Sequence, residues 1–234
     1  MGKIGKISDY QLEDFVEKIL TTKDSVKILS WYKKPTKSEK KIILYFHGNA
    51  GNLGDRAHKL SIFAKRGFGI LAISYRGYSG SEGKAFQDGL VRDADAALEF
   101  LLSEGYEPKN ILLYGESLGS GVAMQIAPRF SFAAIILESP FSSVESVASS
   151  TYWFMPVKLL LKDKFDSAKI ASTILTPILI IHGTADRIVS FKEGRKLYKA
   201  IISPKRFIKV EDADHLGFEP EFLLEEIVSF LSRT

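Results

Sequence analysis

The sequence predicts an α/β domain with a mostly parallel sheet covered by helices on both faces. Short apolar runs alternate with amphipathic segments of helical period along the 234 residues, which is typical of parallel strands joined by crossover helices. The runs are continuous, as expected for strands that are buried on both faces. Polar and glycine-rich residues follow several runs directly, and sheets of this class bind ligands at that edge.

The composition is that of an ordinary globular protein, with 45% hydrophobic and 26% charged residues. There is no cysteine, which excludes disulfides, thiolate metal sites and a cysteine nucleophile. No apolar run approaches the roughly 18 residues of a membrane span, and no signal-peptide pattern is present, so a cytoplasmic protein is expected. The net charge is +4; the lysines at 33–41 are predicted to lie on a solvated loop, without a nucleic-acid-binding motif.

Eight segments are predicted as strands because they are short, apolar and bounded by turn-forming residues. They are 12–22, 26–32, 42–46, 68–74, 111–114, 133–137, 178–181 and 207–210. Their number and spacing favour one domain over residues 1–234.

The segments between these strands are predicted as helices. They are 53–66, 87–102, 117–128, 191–201 and 219–231. In the second helix the apolar residues follow the 3.6-residue period, whereas Asp93 and Asp95 fall outside that stripe. We therefore expect these two carboxylates on a solvated face.

The centre of the sequence is G-x-S-x-G, formed by Gly115, Ser117 and Gly119 after an apolar run. Between a strand and a helix this motif predicts a nucleophile elbow, in which the serine hydroxyl stands at the tip of a sharp turn. The serine is expected to be strained, and side chains at the glycines would collide as the helix folds back.

A dinucleotide-binding loop is the alternative for the same glycines. Gly115, Gly119 and Gly121 also form G-x-x-x-G-x-G, and Glu138 lies near the place of a ribose-binding acid. The motif lies in the middle of the chain, however, and no Tyr-x-x-x-Lys pair accompanies it. The elbow is therefore the favoured interpretation.

A serine nucleophile needs an imidazole base that is oriented by a carboxylate. His215 follows the last predicted strand and is the predicted base. His47 and His182 each precede a glycine at a strand end and are expected to brace loop backbone. His58 lies within a helix and is expected at the surface.

Two acids are candidates for the third member. Asp186 is favoured because it produces the chain order Ser, Asp, His. Glu138, after the strand next to the elbow, is the alternative, and its other expected role is to anchor the base of an insertion. Asp212 and Asp214 are too close in sequence to His215 to approach its ring easily.

An oxyanion hole requires two backbone donors beside the nucleophile. Leu118, directly after Ser117, is the first predicted donor. The second is Asn49 in the loop after the third strand, with Ala50 as the next choice. Tyr78, after the fourth strand, is a candidate substrate-binding residue.

Several motifs together resemble a known family. They are 46–52, 75–78, 115–119, 182–186 and the loop ending at His215. With them the chain resembles small α/β hydrolases of the serine hydrolase superfamily, in the subgroup of the bud-emergence-homologue proteins and the α/β-hydrolase-domain depalmitoylases. The resemblance implies an α/β-hydrolase fold with a mostly parallel eight-stranded sheet, helices on both faces and a small cap insertion. It also implies a triad of Ser117, Asp186 and His215 that works without a cofactor.

Residues 141–173 break the rhythm of strand and helix and are predicted to form the cap insertion. Tyr152, Trp153 and Phe154 could line an acyl pocket or could form the core of the cap, and both interpretations stay open. We expect a serine hydrolase that cleaves a carboxylic ester or thioester of a small or lipid-like acyl group. A serine aminopeptidase-like peptidase and a non-catalytic binding module are the alternatives. Nothing in the sequence supports nucleic-acid binding or membrane contact, and the oligomeric state stays open.

Overall fold

A computed structural model describes residues 4–36, 40–151 and 164–234 and contains one eight-stranded sheet. The strands are β1 (Val16–Thr21), β2 (Lys27–Lys33), β3 (Ile42–Phe46), β4 (Gly69–Ile73), β5 (Ile111–Glu116), β6 (Ala134–Glu138), β7 (Ile178–Gly183) and β8 (Lys205–Val210). Their order is β1-β2-β4-β3-β5-β6-β7-β8. The two pairings of β2 are antiparallel and the other pairings are parallel. The predicted mostly parallel sheet is therefore confirmed.

Helices cover both faces of the sheet. They are α1 (Ala57–Lys65), α2 (Gln87–Ser103), α3 (Leu118–Ile126), α4 (Val144–Thr151), α5 (Ser167–Ile170), α6 (Phe191–Ala200) and α7 (Pro220–Leu231). One core lies between the sheet and α2, α3 and α6, and a second lies between the sheet and α1 and α7. The strands β3 to β7 are buried throughout, which explains their continuous apolar sequences. No helix within the described residues is long and apolar enough to cross a membrane.

The expectation that Asp93 lies on a solvated face is wrong. Its side chain is fully buried, and its two oxygens accept hydrogen bonds from Arg76 Nε and Arg76 N, each at 2.8 Å. Arg76 comes from the loop after β4, a partner that the helical pattern of α2 cannot reveal. Asp95 does remain partly exposed and pairs with Arg129.

The structure describes both flanks of the predicted cap insertion, residues 141–151 and 164–173. Phe141 and Phe165 are buried there and pack beside α3, where a methyl group added to Gly121 would lie 2.9 Å from Phe141 Cζ. Gln87, at the start of α2, accepts hydrogen bonds from the backbone of Phe165 at 2.8 Å and of Lys164 at 2.7 Å. Both flanks of the insertion are thus attached to the domain core.

Parallel pairing brings the candidate residues to one edge of the sheet. The strands β3, β5, β6, β7 and β8 run in the same direction, so the loops that follow them lie side by side. These loops carry Asn49, Ser117, Asp186 and His215. Crossover topology, rather than nearness in sequence, therefore assembles the site.

Candidate active site

Ser117 lies between β5 and α3 with φ +46° and ψ −111°. A residue other than glycine is strained at positive φ, at a cost of about 1–3 kcal/mol. The turn is held from both sides, because Ser117 N–H donates to the Glu138 carbonyl at 2.9 Å and Ser120 Oγ donates to the Ser117 carbonyl at 2.6 Å. This is the geometry that the G-x-S-x-G motif predicts.

The glycines of the motif are required by close backbone contacts. A methyl group on Gly119 would lie 2.6 Å from the carbonyl carbon of Phe46, at the end of β3. A methyl group on Gly115 would lie 2.6 Å from the carbonyl carbon of Gly119. Only hydrogen atoms fit at these two positions, so α3 can fold back directly against β5 and β3.

The structure brings His215 and Asp186 together. His215 Nδ1 lies 2.8 Å from Asp186 Oδ2, and the His215 side chain is 14% exposed. The other carboxylate oxygen, Oδ1, accepts from the backbone N–H groups of Ile188 at 2.9 Å and Val189 at 2.8 Å. These two bonds orient the carboxylate so that Oδ2 faces the imidazole.

His182 is a second histidine on the same carboxylate. Its Nε2 donates to the Val189 carbonyl at 2.9 Å, as expected for a ring that braces loop backbone, and also lies 3.2 Å from Asp186 Oδ2. Burial would raise the pKa of Asp186, but hydrogen bonds from His182, His215 and Val189 N–H hold this pKa well below its usual range. Asp186 is therefore an anion at neutral pH.

No hydrogen bond joins Ser117 Oγ to His215 among the residues that the structure describes. Hydrogen bonds of this kind are often long or poorly aligned without substrate and tighten when it binds. The two residues lie at the same sheet edge, separated by the strands β6 and β7. Their roles as nucleophile and base stay predictions.

The loop after β3 lies against the elbow. A methyl group on Gly48 would be 3.6 Å from Ser117 Cβ, so an added methyl would just make van der Waals contact with the serine. The N–H of Gly48 points to Glu116 Oε2 at 3.4 Å. Within the described ranges the N–H groups of Asn49 and Leu118 have no acceptor, which leaves both available for an oxyanion.

Two tyrosines hold this loop from behind. Tyr78 is buried, and its hydroxyl donates to Asn49 Oδ1 at 2.6 Å. The Tyr75 hydroxyl donates to the His47 carbonyl at 3.2 Å. The structure therefore places Tyr78, a candidate for substrate binding, in contact with a predicted oxyanion residue.

His47 is fully buried and braces the same loop, as expected from its position at a strand end. Its Nδ1 donates to the Gly48 carbonyl at 2.6 Å. The ring packs against Tyr75 and Tyr78 at centroid distances of 4.6 and 5.0 Å. Burial lowers the pKa of His47 to about 4, so this ring is neutral at physiological pH.

Glu138, the alternative acid, is not brought to His215. Its buried carboxylate accepts hydrogen bonds from Lys59 Nζ at 2.7 Å and from the Tyr114 hydroxyl. These partners lie beneath the sheet edge on the face covered by α1, away from the base of the insertion. The 2.8 Å contact of Asp186 with His215 supports the acid that the sequence favours.

Sequence reasoning missed one buried charged cluster at the site, which contains Arg56, Lys59 and Glu116. The available signal was Glu116 itself, a charged residue that directly precedes the predicted nucleophile and ends β5. The predicted acyl-pocket residues Tyr152, Trp153 and Phe154 lie outside the described residues.

Comparison with protein families matches residues 37–169, more than half of the chain, to the family described as serine aminopeptidase, S33. Alpha/beta hydrolase domain-containing protein 17B of Homo sapiens is 31% identical over 214 residues, which cover 88% of this chain and 72% of that protein. The uncharacterized protein YfhR of Escherichia coli K12 is 30% identical over 206 residues, covering 84% of this chain and 72% of its own.

Two solved structures share the fold. An esterase of Pyrococcus furiosus superimposes with a TM-score of 0.79 at 21% identity, covering 100% of this chain and 97% of its own. A puromycin-hydrolyzing peptidase of Mycobacterium tuberculosis superimposes with a TM-score of 0.78 at 19% identity, covering 100% of this chain and 41% of its own. At these identities the likeness concerns the fold alone.

Proposed function

The chain belongs to the serine aminopeptidase, S33, family of α/β hydrolases. We propose that it cleaves a carboxylic ester or thioester. The observation that carries the proposal is the Asp186–His215 pair at 2.8 Å, at the same sheet edge as the strained Ser117. An imidazole that is oriented by a carboxylate and can reach a serine hydroxyl is what acyl transfer requires. The substrate would be a small or lipid-like acyl compound.

In the proposed mechanism Ser117 Oγ attacks the acyl carbonyl carbon while His215 Nε2 takes the serine proton. Asp186 holds the opposite ring nitrogen and stabilises the imidazolium. The N–H groups of Asn49 and Leu118 would donate to the oxyanion of the tetrahedral intermediate.

Collapse of this intermediate breaks the bond between the acyl carbon and the leaving oxygen or sulfur, and His215 returns the proton to the departing alcohol or thiol. Water then attacks the acyl-enzyme on Ser117, with His215 again taking a proton. The second collapse releases the carboxylic acid and restores the serine hydroxyl. No group beyond the three side chains and water is needed for the balance of atoms.

A peptidase of the serine aminopeptidase type is the second candidate, favoured by the description of the matched family. It would need acids that hold a substrate amine. Glu145 and Asp166 lie in the described flanks of the insertion, where the Asp166 carboxylate accepts from Lys169 N at 3.1 Å. We rank this candidate second because the Asp166 carboxylate already caps the start of α5 through this bond.

The test is a panel of p-nitrophenyl esters, acyl thioesters and aminoacyl amides, with the Ser117→Ala protein as the blank. We expect turnover of esters and thioesters that falls by on the order of 10⁶ in the blank, as for loss of a serine nucleophile elsewhere. Turnover of aminoacyl amides alone would favour the peptidase. No turnover of any class by a folded wild-type chain would favour a non-catalytic binding module.

A further inference from the structure

Four charged side chains form a buried cluster beneath the elbow. Glu116 and Glu138 are 2% and 0% exposed, and Arg56 and Lys59 are each 11% exposed. The two carboxylates are register partners on β5 and β6, so they lie side by side on one face of the sheet. Lys59 Nζ bridges them at 2.7 Å to each, and the formal charges of the four side chains cancel.

Glu116 is the most fully bonded member of this cluster. Its Oε1 accepts from Lys59 Nζ at 2.7 Å and from the Tyr45 hydroxyl. Its Oε2 accepts from Arg56 Nε at 3.0 Å and from Gly48 N–H at 3.4 Å. Burial would raise the pKa of Glu116, but Lys59 and Arg56 lower it to about 2. The side chain is therefore an anion that accepts four hydrogen bonds and cannot donate a proton during turnover.

The position of Glu116 in the chain links this cluster to the reaction site. Glu116 directly precedes Ser117, and its acceptor contact with Gly48 N–H is one residue from Asn49. Both predicted oxyanion donors, the N–H groups of Asn49 and Leu118, thus belong to segments that meet at one carboxylate. A methyl group on Gly48 would lie 3.6 Å from Arg56 Nη2, so the arginine also packs against this loop.

We propose that Glu116 is a positioning residue that sets the Asn49 loop at the correct distance from Ser117 for oxyanion stabilisation. This proposal rests on the proposed serine hydrolase function. Oxyanion donors work within a narrow range of distance, and a misplacement of about 1 Å can cost roughly 100-fold in rate. Buried ion networks contribute little to stability compared with apolar side chains of the same volume. We therefore expect the cluster to act by holding the Asn49 loop in position rather than by adding to the free energy of unfolding.

The test measures the rate constant for labelling of Ser117 by a fluorophosphonate. In that reaction the bond between Oγ and phosphorus forms, the bond from phosphorus to fluoride breaks, and His215 takes the serine proton. The phosphoryl oxygen needs the same backbone donors as an acyl oxyanion. The readout does not depend on whether the natural bond is an ester, a thioester or an amide.

Glu116→Gln keeps the shape of the side chain but offers one oxygen to four donors. We expect the labelling rate constant to fall by roughly 100-fold and the melting temperature to fall as well. The double variant Glu116→Gln with Arg56→Gln restores the charge balance of the cluster. The melting temperature of this double variant should lie between those of the single variant and wild type, while labelling of Ser117 stays slow. The double variant replaces the single variant in the test if the single variant does not fold.

Glu193→Gln is the control, because Glu193 is also a buried carboxylate that accepts several hydrogen bonds, but from Ser142 and Ser146, outside the Asn49 loop and the elbow. It should lower the melting temperature and leave labelling within about fivefold of wild type. Labelling of Glu116→Gln within that range would overturn the proposal, as would a double variant whose labelling recovers together with its stability. A wild-type chain that is not labelled at Ser117 would overturn the proposed function, and the positioning role with it.

Discussion

The neutral, buried ring of His47 predicts a specific dependence of stability on pH. Burial lowers the pKa of this imidazole from its ordinary 6.5 to about 4, whereas in the unfolded chain it should titrate normally. At pH values between about 4 and 6.5 the His47 ring is protonated in the unfolded state and neutral in the folded state. Stability is therefore complete above about pH 6.5 and is lost as the pH falls towards 4.

The size of the effect follows from the two pKa values. Below both values the difference between 6.5 and about 4 corresponds to about 3 kcal/mol. At about pH 5 the unfolded ring is almost fully protonated and the folded ring is almost fully neutral, so about 2 kcal/mol of the unfolding free energy should already be lost. Burial raises the pKa of the Asp93 and Glu138 carboxyls, but these groups are present in wild type and in a His47 variant alike, so comparing the two proteins isolates the effect of the ring.

The measurement is urea denaturation of the wild-type chain and of His47→Asn at about pH 7.5 and about pH 5. Asparagine retains a donor near the position of Nδ1 for the Gly48 carbonyl but cannot take up a proton. The variant should be less stable at both pH values because it loses the contacts with Tyr75 and Tyr78. It should nevertheless lose about 2 kcal/mol less than wild type on acidification.

His58→Asn is the control, because the side chain of His58 is exposed. That variant should lose as much stability as wild type between the two pH values. The reasoning would be refuted if His47→Asn lost stability as steeply as wild type, since the proton uptake would then belong to another group.

Two further predictions concern the acid and the elbow. Asp186→Asn should lower kcat on a p-nitrophenyl ester by roughly 10⁴, while Glu138→Gln should lower it by less than about fivefold; equal losses in proteins with matching circular dichroism would contradict the choice of acid. Gly119→Ala should lower the unfolding free energy by about 3 kcal/mol, because its methyl would overlap the backbone of Phe46. Gly48→Ala, whose methyl meets no heavy atom closer than 3.6 Å, should change the unfolding free energy by less than about 1 kcal/mol. Thermal denaturation of both variants checks this, and equal losses would show that close packing is not the cause.

Much of the fold could be predicted from local sequence pattern. The strand predicted at 42–46 matches Ile42–Phe46, and the helix predicted at 87–102 matches Gln87–Ser103. Burial on both faces imposes continuous apolar runs on strands, and burial on one face imposes the 3.6-residue period on helices. The same local signal failed at residues 53–56, which form a 3₁₀ turn before α1 begins at Ala57.

The elbow could also be predicted locally, because strand, turn and helix are consecutive in the chain. The close contacts of Gly115 and Gly119 and the positive φ of Ser117 all arise within a few residues of the motif or from the strand beside it. The chain order of serine, aspartate and histidine then favoured Asp186 over Glu138. That chain order could not show that a second histidine, His182, also contacts the Asp186 carboxylate.

Only the tertiary structure decided which buried charges are paired. The sequence pattern predicts Asp93 at the surface, and only the structure shows that Arg76, from another loop, pairs with it. Lys59 and Glu138 are separated by 79 residues, yet they lie 2.7 Å apart. A charged side chain can be buried only where an opposite charge meets it, and the crossovers of the sheet determine where such charges meet. The period of the apolar residues predicts which positions of a segment are buried. The partner of each buried charge depends on contacts between segments that are distant in the chain.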